Sequence, residues 1–355
     1  MGGVTVHLDQ ARWQAHLAEV VADTPAVVPV VKGHGYGFGL VRLAAECRRL
    51  GVDSIAVGMA SEVAVVRDVF GGDVVVLQPY DHADSLAREL LADPRVVTTV
   101  SRPDDLRAVA AAGGRPRVLV EVLTSMRRHG LGADQLAAAA ELLDDVTFEG
   151  WTIHLPLREE GRQDEAFRLA RAAVDARPGT LWLSHLPPDQ VQRLGVELGG
   201  PDGTVPVRAR VGTRLWLGDA AARRTTATVL DVHPVRRGER AGYRGRVVPG
   251  AGWVVVVAGG TSHGVGLEAP TSASTWRQRA TALATGSLEA AGRALSPFTI
   301  GGRKRWFLEP PHMQSSLVFL PSSAVPPHVG DEVPLELRLT IATPDAVILD
   351  EVAGS

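Results

Sequence analysis

The chain has 355 residues, of which 45% are hydrophobic and 22% charged, with a formal net charge of −3. This is the balance of a globular protein long enough for one large domain or two of moderate size, and it excludes a cationic surface built to hold nucleic acid or an anionic membrane. One cysteine excludes an intramolecular disulfide, no apolar run reaches membrane-spanning length, and the opening MGGVTVHLDQARW lacks a leader pattern, so a cytoplasmic protein without membrane partners is expected.

In chain order, VTVHL reads as a strand expected to join a later β domain. The next two hundred residues then alternate between apolar runs and amphipathic stretches. Strands are predicted at 27–32, 54–59, 74–79, 96–100, 117–124, 146–154, 180–186 and 205–210. They are Val-, Leu- and Ile-rich with weak alternation, as parallel strands covered on both faces should be. The helical patterns between them include LVRLAAECRRLG, SEVAVVRDVF, ADSLARELLAD, PDDLRAVAAAGG, ADQLAAAAELLDD, EAFRLARAAVDARPG and PDQVQRLGVEL. Several begin after Ser, Asp or Pro and end at Gly or Pro. Cys47 falls in the first of these helices and is expected to be packed rather than reactive. Eight strand–helix repeats predict an α/β fold with a (β/α)8 TIM-type barrel. A doubly wound open sheet is the runner-up, but no GxGxxG follows the first strand.

From about residue 222 the texture changes. TTATVLDVHPV, WVVVVAG, SLVFLP and VPLELRLTI read as strands without helical partners, with one short helix at 286–295. The expected division is a barrel over 9–221 and a C-terminal all-β domain over 222–355, joined by the N-terminal strand 1–8.

Barrel chemistry is built at the C-terminal ends of the strands. There the sequence places Lys32, Met126 and Arg128, His154, Ser184 and His185, then Arg210 and Gly212. Only two lysines occur, Lys32 and Lys304, against an abundance of arginine. A lysine kept at a strand end hints at amine chemistry, because lysine can lose its proton and arginine cannot. Lys304, in GGRKRW, reads as a surface residue.

VVPVVKGHGYGFG resembles the cofactor-lysine motif VVKANAYGHG of alanine racemases. LTSMRRHGL, GWTIHLP, RVGTRLWLG and AGYR leading into AGWVVVVAGGTSHG are similar, in order, to further segments of that family. The resemblance implies a pyridoxal 5′-phosphate (PLP) enzyme, an amino-acid racemase with an amino acid as substrate. Lys32 would carry the cofactor as a Schiff base and serve as one base. Tyr36, Ser184 or His185, Gly212 and Thr213 would hold its phosphate. Arg210 would face the pyridine nitrogen and His154 would lie near the ring. Arg128 would meet the cofactor's phenolic oxygen and the substrate carboxylate. Tyr243 would be the opposing base, supplied across a homodimer with shared active sites, and Met313 would cross the same interface toward the substrate.

Several positions depart from the family. Gln314 stands for the aspartate of MDQ, Thr261 for the tyrosine of GYADG, Glu121 for a lysine carbamylated in many relatives, and Leu123 for the aspartate of DTG. A non-catalytic or regulatory PLP-binding protein, or a PLP-dependent lyase on the same scaffold, is the alternative. No metal is expected; His263 and His312 lack the neighbours of a metal site.

Overall fold

The computed structural model describes residues 2–24, 26–199, 203–267 and 294–350. It divides into two compact units, one of Ala15–Gly218 and one of Met1–Gln14 with Asp219–Ser355.

The chain opens with β1 (Val4–Asp9) and α1 (Gln10–Asp23), the latter a helix that the sequence patterns above do not single out. The barrel then runs β2 (Val27–Pro29), α2 (Leu40–Arg49), β3 (Ser54–Val57), α3 (Ala60–Arg67), β4 (Asp73–Val76), α4 (Ser85–Leu90), β5 (Val96–Val100), α5 (Pro103–Ala111), β6 (Arg117–Val122), α6 (Leu136–Ala140), β7 (Thr147–His154), α7 (Arg162–Ala176), β8 (Leu181–Ser184), α8 (Pro188–Gly199), β9 (Val207–Val211) and α9 (Thr213–Leu217). All eight predicted barrel strands are present. They form one parallel sheet in the order β2-β9-β8-β7-β6-β5-β4-β3, and the parallel bridge Val30↔Ala56 brings its two ends together. The predicted helix over 133–145 is broken into α6 flanked by two 3₁₀ turns.

Inside the barrel, Val28, Val30, Ala56, Val75, Val97, Leu119 and Trp182 form a packed plug. Outside it, α7 buries Ala166, Leu169, Ala170 and Ala173, the i, i+3, i+4, i+7 stripe of a helix lying on a sheet. Burying each large aliphatic side chain in this layer contributes about 2 kcal/mol. Cys47 is fully buried on α2, as expected.

The other unit continues with β10 (Arg223–Val235), β11 (Arg240–Ala241), β12 (Arg246–Val247), β13 (Gly252–Ala258), β14 (Leu295–Ile300), β15 (Arg303–Phe307), β16 (Ser315–Pro321), β17 (Glu332–Pro334) and β18 (Ala346–Asp350). Its main sheet has the order β14-β15-β16-β13-β10-β1-β18, with β17 also on β10. Thus β1 lies between β10, antiparallel, and β18, parallel.

Two expectations change. The strand expected over 333–341 stops at Pro334, because the chain hands its pairing from β10 to β14. Leu335 N–H donates to Thr225 O and Glu336 N–H to Pro297 O, so neither ladder continues. The helix expected at 286–295 lies outside the described residues except at its end, where Leu295 opens β14.

Candidate active site

Strand alternation decides what fills the barrel mouth. Residues two apart share a face, so Leu119 and Trp182 in the plug put Glu121 and Ser184 directly above them. The register pairs Ser184 with Arg210 and His154 with Ser184. Glu121, Ser184 and Arg210 are all buried, forming a polar layer on an apolar plug.

Lys32 lies three residues beyond β2. The chain leading to it is held on both sides: Val30 N–H donates to Val211 O (2.8 Å) and Val31 N–H to Ala56 O (2.7 Å). Trp216 of α9 adds a bond from its indole N–H to Val30 O (2.8 Å). The loop after Lys32 is pinned by Glu62, a residue the sequence reading missed. Its buried carboxylate accepts from Gly33 N–H (2.7 Å), Gly58 N–H (2.6 Å) and Met59 N–H (3.3 Å). A side chain at Gly58 would press on both Glu62 and Lys32. The available signal was a glutamate in the first turn of a helix that follows a strand.

Burial lowers the Lys32 pKa from its ordinary value, the charges of Arg128 and Arg210 lower it further, and Glu62 opposes them. A neutral amine is therefore more accessible here than on an ordinary lysine. His154 is driven down to about 3 by burial, then by Arg210, Arg128, His185 and Lys32. It is a neutral imidazole, with Nδ1 hydrogen-bonded to Ser184 Oγ at 2.7 Å. His185 stands beside it, rings 5.0 Å apart, with a left-handed φ of +64°. Tyr36, at φ +54°, and Arg127, at +49°, share that sparsely populated conformation. Three such residues in the loops of one barrel face mark stored strain at a functional site.

Arg210 is buried, and its Nε and Nη2 have no hydrogen-bond partner among the described residues. Burial pushes its pKa down to about 10, with Glu121 opposing and Arg128 reinforcing. Glu121 Oε2 is likewise buried without a partner. Burial raises the pKa of Glu121 while Arg210 and Arg128 draw it back. An unpaired buried donor costs about 1–3 kcal/mol, so the two Arg210 N–H donors leave room for an acceptor such as a bound ligand. A neutral ring nitrogen meets that need, and the pyridine of PLP therefore fits this residue.

Tyr36 is buried, and burial pushes its phenol up to about 12. A side chain at Gly212 would collide with the Tyr36 hydroxyl, so glycine permits this approach. Gly212 also precedes α9, whose first residue is Thr213.

The structure thus brings Lys32, Tyr36, Arg128, His154, Ser184, Arg210, Gly212 and Thr213 to one end of the barrel. It places Tyr243 and Met313 in the other unit, where they are 90% and 71% exposed.

The fold and this mouth define a (β/α)8-barrel protein with a lysine-centred cationic site, and comparison narrows it. The family model for the alanine racemase N-terminal domain matches residues 6–184. The chain belongs to the alanine racemase family. An alanine racemase of Nitratidesulfovibrio vulgaris (strain DSM 19637 / Miyazaki F) is 30% identical over 250 residues, 62% of this chain and 64% of the relative. The matched part is thus less than two thirds of that relative's length. Among solved structures, alanine racemase from E. faecalis superposes with a TM-score of 0.69 at 17% identity, over 94% of this chain and 88% of that one. Alanine racemase from Bartonella henselae, with covalently bound pyridoxal phosphate, gives 0.68 at 16% identity, over 95% and 91%. At that identity these two speak for the fold.

Proposed function

We propose that this chain is a PLP-dependent amino-acid racemase, cytoplasmic and homodimeric. The observation that carries the reading is Lys32, one of two lysines in the chain, with its pKa lowered at a barrel mouth where a buried arginine presents unpaired donors. The cofactor is pyridoxal 5′-phosphate, held covalently by Lys32. When bound, it draws electron density from the substrate's α-carbon and so acidifies the α-proton.

The remaining chemistry belongs to the chain. Lys32 would hold the cofactor and would hold or return the α-proton at Nζ on one face. Its lowered pKa keeps the neutral form accessible. Arg210, which keeps its own proton, would donate to the ring nitrogen and temper its electron demand. His154, neutral and fixed by Ser184, lies beside the ring as an uncharged neighbour. Arg128 supplies positive charge for the substrate carboxylate. Tyr36, the backbone after Gly212, Thr213, and Ser184 or His185 hold the phosphate; the Ser184 hydroxyl already bonds to His154. Tyr243 of the partner subunit moves the proton on the opposite face, with Met313 of the partner subunit lining the substrate pocket.

The test is α-proton exchange. The cofactor-loaded protein is incubated in D2O with a panel of L-amino acids and the α-proton signals are followed by NMR. Loss of signal for one amino acid, abolished by Lys32→Ala and Tyr243→Phe, names the substrate and both bases. No exchange across the panel, with borohydride still fixing the cofactor to Lys32, refutes racemisation of those amino acids and favours a binding role.

A further inference from the structure

Tyr243 presents a physical problem. A proton-transfer group must be held near its working geometry, and a displacement of about 1 Å can cost two orders of magnitude in rate. A side chain 90% exposed at the tip of a two-stranded hairpin has no core around it to hold it. We propose that Glu309 and His312 form a positioning dyad that fixes both the backbone and the ring of Tyr243; this rests on the reading of Tyr243 as the second base.

Glu309 is a carboxylate at 3% exposure, beneath the turn that joins β11 to β12. One of its oxygens accepts from Tyr243 N–H (2.9 Å) and the other from Arg244 N–H (3.1 Å). Two successive backbone donors on one carboxylate lock the φ and ψ of the turn where Tyr243 sits. Gly242, at φ +78°, makes this possible, because a side chain there would run into the Glu309 carboxyl. The oxygen that holds Tyr243 N–H also takes a 2.6 Å bond from His312 Nε2. The His312 ring then lies against the Tyr243 ring, centroids 4.7 Å apart and planes tilted by 57°.

One carboxylate therefore grips the tyrosine's main chain and also the imidazole on which its ring rests. The imidazole is anchored from its own backbone as well: His312 N–H donates to Ser315 O and His312 O accepts from Thr261 N–H, each at 2.9 Å. Burial alone would raise the Glu309 pKa. The hydrogen bonds from Arg244 N–H, His312 and Tyr243 N–H outweigh it and hold the carboxyl below its ordinary value, so the anchor stays ionised. The arrangement restricts the tyrosine's χ angles while leaving its hydroxyl end free to reach a reacting atom.

The chain has three tyrosines, which makes the test direct. The full-length, cofactor-loaded protein is labelled with 3-fluorotyrosine, and the fluorine line of Tyr243 is identified by its loss in Tyr243→Phe. In the unsubstituted protein that line is expected to be displaced by the neighbouring ring and broadened by immobilisation. His312→Ala should move it toward the free-tyrosine position and sharpen it. His312→Phe, which keeps a ring, should retain most of the displacement. Glu309→Gln, which offers Arg244 N–H a donor in place of an acceptor, should shift it partway.

In the exchange assay, His312→Ala and Glu309→Gln should lower kcat by about 10-fold to 100-fold with KM little changed, and His312→Phe should recover part of the loss. An unmoved Tyr243 line in His312→Ala and Glu309→Gln overturns the proposal. So does a normal kcat in both variants when Tyr243→Phe is inactive. If Tyr243→Phe itself exchanges normally, the base assignment fails, and the fluorine line alone then decides whether the dyad holds the ring.

Discussion

Removing Glu62 tests whether the barrel mouth is held together around Lys32 as the structure implies. Its buried carboxylate takes three backbone N–H bonds, at 2.6, 2.7 and 3.3 Å, from the loop after Lys32 and from the start of α3. Hydrogen bonds to a charged group contribute about 1.5–3 kcal/mol each. The longest counts for little, and Gly33 is exposed enough to find water in the variant. The net loss in Glu62→Ala is then about 3 kcal/mol, or about 6–12 °C in Tm for a unit of this size. Glu62→Gln keeps one acceptor oxygen and should lose about half as much. The local effect should exceed the global one: the Gly33 and Gly58 amides should exchange with D2O far faster in the folded variant. Cofactor capture by Lys32, followed by borohydride fixation and mass spectrometry, should fall in parallel. A Glu62→Ala protein with unchanged Tm, unchanged Gly33 exchange and normal capture would refute the assignment of Glu62 as the clamp of the lysine loop.

Three further outcomes are expected. In the protein without cofactor, Lys32 should be reductively methylated at lower pH than an ordinary lysine; Arg128→Gln or Arg210→Gln should shift the Lys32 profile to higher pH, because a lowering charge is removed. His154 is depressed from 6.5 to about 3, so the unfolded chain binds the extra proton. The stability linked to it is present above pH 6.5 and is lost as pH falls, by about 2 kcal/mol at pH 5, and urea unfolding of His154→Gln should show a shallower acid slope. Gly212→Ala drives a methyl group into the Tyr36 hydroxyl and close to Val30; it should cost about 1–3 kcal/mol of stability and weaken cofactor retention, measured by thermal unfolding with and without added PLP.

How much of this was legible depended on the kind of residue. The eight barrel strands announce themselves because strands covered on both faces must be apolar throughout, and their order follows from right-handed crossovers. The β14–β15 hairpin was missed although Gly301-Gly302, both at positive φ, is a two-residue turn signal; the charged RKRW that follows masks the strand. Lys32 stood out through the rarity of lysine. Glu62 and Glu309 did not, because a glutamate in sequence reads as a solvated side chain. Only tertiary contact reveals that each is buried with backbone donors on its oxygens. Sequence periodicity names the elements and the cationic residues at their ends, but not the anions that hold the loops between them.

The charges at the barrel mouth form a connected system. Lys32, Arg128 and Arg210 place three cations near one another, and each depresses the titration of its neighbours. Of the three only Arg210 is buried, and a buried cation is costly unless compensated. Within the mouth, Glu121 is the buried carboxylate whose charge acts on Arg210, and Glu62 acts on Lys32. Each of these carboxylates opposes the lowering of one cation. On the proposed function the cations would draw a dianionic phosphate and a substrate carboxylate, and burial together with these charges lowers the pKa of His154 and Lys32. Substituting Glu121 by glutamine removes the charge that supports Arg210 without changing shape. Arg210 should then titrate lower still, because burial and Arg128 act on it unopposed. If Arg128→Gln and Arg210→Gln both left the methylation profile of Lys32 unmoved, the mouth would not be electrostatically coupled, and the lowered Lys32 pKa would have to come from burial alone.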